Sequence, residues 1–171
     1  MDIYTQLEES LYEALTKSFE VSGKPLVVAF SHENGVEPIE DYVSVNVLDL
    51  VRQGQASKSG MAGFSLGAAK EYAVQSYESL VQLNFFGENS PDHATWFHSQ
   101  FKGNTVIREG FLRNNLAPRT ISNMRCAPQL RDSVWVKSFS MDIRVGWAVR
   151  TVQDVDWADV VTINGQSIPL I

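Results

Sequence analysis

The sequence predicts an α+β fold: a mostly antiparallel β-sheet with helices packed on one face, forming a single domain over residues 1–171. Two observations carry this. Segments 42–51, 71–86 and 134–151 alternate apolar and polar residues with the period of two that half-buried strands require. Only a few segments, led by 2–19, repeat apolar residues every three or four positions as helices do. Runs of strands with few helices between them argue for antiparallel pairing rather than βαβ crossovers.

The first element is the helix at 2–19, where Ile3, Leu7, Leu11, Ala14 or Leu15, and Phe19 form one apolar stripe. Asp2 suits its N-cap, and Gly23 and Pro25 stop it. Residues 25–30, PLVVAF, read as a short buried strand that closes on an Asn34-Gly35 turn. In 42–51, Val43, Val45, Val47 and Val51 share a face with Asp49, and Ser44 and Asn46 take the other.

Residues 52–71 change texture, with four glycines, three serines and no stable period, and predict a mobile loop over 52–70. The strand at 71–86 places Tyr77, Ser79, Val81, Leu83 and Phe85 on one side. Gly87 ends it, and Ser90-Pro91 predicts a helix start with serine as N-cap and proline at the first helical position. Ala94, Phe97 and Phe101 face inward on that helix, and Gly103 closes it. A shorter helix is expected within 104–115, then a strand at 119–127.

The longest strand, 134–151, sets Trp135, Phe139, Met141, Ile143, Val145, Trp147 and Val149 on one face, with Lys137 interrupting near one end. Ser138, Ser140, Asp142 and Arg144 occupy the solvated face. A second Asn-Gly turn precedes a C-terminal extension over 165–171.

At 171 residues the chain should bury roughly 70% of its unfolded surface, enough for a core without metals or disulfides. Its net charge of −6 argues against general attraction to DNA or anionic membranes. No apolar run approaches the length of a bilayer span, and the acidic, amphipathic N-terminus is unlike a signal peptide, so no membrane partner and a cytoplasmic site of synthesis are expected. The single cysteine, Cys126, is expected as a small buried residue in a strand.

Catalytic chemistry finds little support. His93 and His98 are five residues apart, which turns them away from one another on a helix, whereas a zinc pair wants a spacing of three or four. The chain lacks the nucleophile elbow, the phosphate loop and the dinucleotide turn. No catalytic residue, metal or cofactor is therefore expected, and the histidines read as solvent-facing or capping side chains. The arginines at 108, 113, 119, 125 and 131 lack the interleaved aromatics of a nucleic-acid surface and better suit salt bridges to a neighbouring subunit or acidic loops.

Candidate contact residues follow from apolar or cationic side chains in segments that need cover. They are Met61, Phe64 and Leu66 in the loop, Arg108 and Arg113 in the short helix, and Ile168 and Leu170 in the C-terminal extension.

The stretch LVQLNFFGENSPDHATWFHSQF at 80–101, with Leu83, Phe85, Phe86 and Gly87 at a strand end and Asp92 and Ala94 in the helix, resembles the phage neck terminator, or tail terminator, proteins of long-tailed phages. The strand ending in Val149 and the Asp154, Asp156, Val160 and Ile163 segment extend the resemblance, which covers roughly residues 71–171. It implies a structural virion protein that assembles as a ring, most simply a hexamer, on the end of the tail tube. It also implies contacts with the tube protein, with sheath protein where present, and with the head-tail connector or stopper. Genomic DNA would pass through the ring without sequence-specific binding. The protein would sit in the virion neck, after assembly in the host cytoplasm. A non-virion interaction module without catalytic activity is the alternative that the residues leave open.

Overall fold

The computed structural model describes residues 2–23, 26–30, 38, 40–59, 69–101, 103, 105–126, 128–131, 134–155, 160–163 and 166–169, without the side chains of 57–59, 69–72, 129–131, 134, 135 and 153 onward. In chain order the elements are α1 (Ile3–Val21), β1 (Val27–Phe30), β2 (Tyr42–Ser59), β3 (Ala69–Phe86), α2 (Ser90–Gln100) and α3 (Thr105–Arg113). Then come β4 (Leu116–Ile121), β5 (Arg125–Cys126), β6 (Gln129–Arg131), β7 (Val134–Val136), β8 (Phe139–Val155), β9 (Val160–Ile163) and β10 (Gln166–Pro169).

A six-stranded, mostly antiparallel sheet runs in the order β1-β2-β3-β8-β4, with β5 also on β8. The fold is α+β, as the alternation predicts. Contacts divide the chain into two compact units, Met1–Gln53 with Ser76–Ala148 and Gly54–Gln75 with Val149–Ile171.

In the first unit the predicted apolar stripe, apart from the half-buried Ile3, becomes the core. Leu7, Leu11, Ala14, Leu15 and Phe19 of α1 are fully buried, and so are Val81, Leu83 and Phe85 of β3 and Met141, Ile143 and Val145 of β8. Aromatic rings tie the helices to the sheet. Phe19 lies 5.6 Å from Phe97 and 6.2 Å from Phe85, Phe97 lies 5.5 Å from Phe101, and Phe101 meets Phe111 edge-on at 5.7 Å. Each buried ring of this kind contributes about 1.5–3 kcal/mol through the apolar surface it removes from water.

Helices α1 and α3 cross closely because small residues meet there. A Cβ on Gly110 would lie 3.4 Å from the Ser18 hydroxyl, which itself turns back to donate to the Ala14 carbonyl at 2.6 Å. Asp2 caps α1 by accepting from the Tyr4 amide at 3.4 Å, as expected.

Several boundaries differ from the sequence reading. The predicted loop is shorter, because β2 continues through Ser59 and β3 begins at Ala69. Residues 51–56 are exposed throughout, so neither face needs the apolar alternation by which a strand is recognised. The strand expected at 119–127 is two strands, β4 and β5, and that at 134–151 breaks at Lys137 and Ser138 into β7 and β8. Ser138 and Ser140, assigned to the solvated face, are buried.

Cys126 is exposed rather than buried, because β5 is a two-residue strand. The N-cap of α2 is Asn89 and its C-cap Phe101, in place of Ser90 and Gly103. The Asn34-Gly35 and Asn164-Gly165 turns lie outside the described residues.

Among its described residues the second unit contains the β9–β10 hairpin, paired antiparallel with Ile168 opposite Val161.

Candidate functional site

The polar and aromatic knot at 87–98 is a structural corner that ties the end of β3 and the start of α2 to the residue preceding β2. Asp41 stands at its centre. Its carboxylate accepts from the Asn89 side-chain amide at 2.9 Å and the Asn89 backbone amide at 3.4 Å, and His93 Nε2 lies 3.4 Å away.

Gly87 has φ +108°, a conformation L side chains rarely adopt, and a Cβ there would overlap the Asp41 carboxylate. Burial pushes the Asp41 carboxyl upward, but the two Asn89 hydrogen bonds and the His93 contact outweigh it and hold the group below its ordinary value. Tyr42 stacks on Phe86 at 4.9 Å beside this cluster, and burial raises its phenol.

The two histidines serve different partners. His93 is buried against Asp41, with a buried Nδ1 that has no hydrogen-bond partner among the described residues. The reading of His93 as a solvent-facing or capping residue is thus corrected. His98 Nε2 lies 3.1 Å from the Ser122 carbonyl, which fastens α2 to the end of β4. Among the described residues no group of three or more histidine, cysteine or carboxylate side chains is arranged to hold a metal ion.

The arginine-rich stretch resolves into separate contacts. Arg125 pairs with Asp142 at 2.6 Å, and the neighbouring strand residue Arg144 pairs with Glu78 at 3.0 Å. Arg113 reaches Glu109 one turn earlier at 3.4 Å, an exposed pair of small energetic worth. Arg119 extends across Gly146, where a Cβ would come 3.0 Å from its Nε.

Of the candidate contact residues, Arg108 and Arg113 are exposed on α3. Arg113 borders an open groove of about 550 Å³ between α1 and α3, which also includes Tyr12, Val21 and Val106. Ile168 belongs to β10, and its side chain is not described. Met61, Phe64, Leu66 and Leu170 lie outside the described residues.

What sequence reasoning missed is Asp41. Its partner Asn89 is 48 positions away, and no local spacing signals that contact.

Two further grooves lie one beside α1 and β1 and one across β3, β8 and β4. One of about 470 Å³ includes Glu9, Tyr12, Glu13 and Phe30, and one of about 530 Å³ includes Tyr77, Asn115, Arg119 and Trp147.

In a comparison with known families, the family model described as phage neck terminator protein fits residues 5–168, nearly the whole chain. No curated protein matches it.

Proposed function

The chain belongs to the phage neck terminator family, structural proteins of the virion neck that associate with other head or tail proteins, and from this premise we propose that it closes the tail tube as a ring. Six copies are the simplest assembly. One face of the ring would contact the last layer of tube protein, with sheath around it in a contractile tail, and the other would meet the head-tail connector or stopper. Assembly would take place in the host cytoplasm.

The match over residues 5–168 carries this reading. The exposed strand segments support it. Residues 51–56 of β2 and 150–152 of β8 are exposed, including Val51 and Val152, and neighbouring subunits would cover them. An acidic subunit also suits a DNA passage, because a net charge of −6 per chain repels phosphates instead of binding them.

The test is the mass and shape of the purified full-length chain, with and without isolated tail tubes, by light scattering and negative-stain microscopy. Rings, free or seated on tube ends, are expected. A monomer or dimer that ignores tube ends would reject the tail-closing role and leave a non-ring adaptor as the better reading.

A further inference from the structure

Taking the ring reading as its basis, we propose that neighbouring copies meet head to tail, Arg119 of one chain seating in the groove beside α1 and β1 of the next. The groove beside α1 borders the β1 edge of the sheet, whereas the groove around Arg119 runs from β4 across β8 and β3 to Gln53 of β2. A head-to-tail ring requires two different patches on every subunit, and these two surfaces provide them.

At the β4 edge, the register shifts between Pro118 and Thr120, leaving Arg119 as the extra residue. Such bulges re-aim a side chain. Here the guanidinium is drawn across the bare backbone of Gly146, at the rim of a groove that also holds Asn115 and Trp147. Arg113, Arg125 and Arg144 each have a carboxylate partner, but the exposed Arg119 has none among the described residues. Pro118 has no amide hydrogen to offer, so this edge is poorly suited to adding a strand, and recognition falls to side chains.

The β1 edge offers the complement. Its groove presents Glu9 and Glu13 beside Tyr12 and Phe30. Glu9 and Glu13 are exposed, stand one helical turn apart and repel each other, and neither has an ion-pair partner among the described residues. A guanidinium between them relieves that repulsion, and Tyr12 supplies a ring for it to stack on.

Nucleic acid is the weaker occupant for Arg119. The chain carries a net charge of −6, which repels the phosphate backbone as a whole, whereas Glu9 and Glu13 bring an isolated acidic pair.

The experiment uses the full-length chain, alone and with tail tubes, as wild type, as Arg119→Glu, as Glu9→Lys/Glu13→Lys, and with all three changes together. All three positions are exposed, so melting temperature and circular dichroism should match wild type; Arg119→Gln and Glu13→Gln serve if a reversal disturbs folding. Each reversal alone should lose the ring, the combined chain should regain it, and raising salt should dissolve the wild-type ring.

Rings that persist in Arg119→Glu, or a combined chain that stays dispersed, would overturn this contact while leaving the ring reading intact. A wild type that forms no ring, free or on tubes, would overturn both. A loss confined to DNA retention would assign Arg119 to nucleic acid and reject the contact.

Discussion

Asp41 fills the space that a side chain at position 87 would need: a Cβ built on Gly87 would overlap its carboxylate. The same glycine has φ +108°, so two independent constraints fall on one position. Gly87→Ala should therefore cost more than about 2 kcal/mol, since backbone strain in such regions alone costs about 1–3 kcal/mol. Urea unfolding of the variant gives the value. A loss below about 0.5 kcal/mol, the range of ordinary surface changes, would show that the corner yields freely.

This relationship also marks the limit of what the sequence reveals. The stripe from Leu7 to Phe19 and the middle of the inward faces of β3 and β8 are legible because burial repeats with the element's own period: Val81, Leu83, Phe85, Met141, Ile143 and Val145 are buried, while Tyr77, Phe139 and Val149 towards the ends are only partly so. The Asp41–Asn89 contact repeats with nothing. It joins positions 48 apart through side-chain hydrogen bonds. The continuation of β2 from Arg52 to Ser59 was hidden for a different reason: its pairing is through the backbone, and its described side chains are exposed. Asn89 stands at the N-cap in place of Ser90, with its side chain turned to Asp41 and not capping the helix, while the Ser90 hydroxyl is buried without a partner among the described residues.

The corner should leave a signature in acid. The Asp41 carboxyl has its folded-state pKa depressed, so it contributes stability above the unfolded value of about 3.9 and loses that contribution as pH falls through the folded value. Asp41→Asn should thus be less stable than wild type at neutral pH, with the gap narrowing below about pH 4. Denaturant midpoints for both proteins between neutral pH and strong acid provide the comparison. A gap that stays constant would remove Asp41 as the titrating group.

Trp147 joins the sheet by packing and by a hydrogen bond. Its ring lies 5.3 Å from Tyr77, and its indole N–H donates to the Ser79 hydroxyl at 3.2 Å. Trp147→Ala should lose about 3–5 kcal/mol, because it opens a cavity and strands a fully buried hydroxyl. Trp147→Phe should lose less, since it keeps most of the ring volume. Chemical denaturation of the two variants tests the order, and equal losses would assign the whole effect to the hydrogen bond.

Cys126 is exposed on β5, against the expectation of a buried strand residue. The native protein should react with a chromogenic disulfide reagent without denaturant, to one equivalent per chain. Reaction only after unfolding would place the thiol inside.

Met61, Phe64 and Leu66 are proposed as assembly contacts on the strength of apolar side chains set in a glycine- and serine-rich segment. Strands β2 and β3 are neighbours in the sheet, so their pairing needs only a short connection between Ser59 and Ala69. Replacing residues 60–68 with an Asn-Gly turn should therefore leave folding stability within about 1 kcal/mol of wild type, since loop length acts weakly through closure entropy. Ring formation or tube binding should fall sharply. Melting temperature and tube co-sedimentation separate the two effects: unfolding would make the segment part of the core, and unchanged tube binding would remove these three residues from the interface.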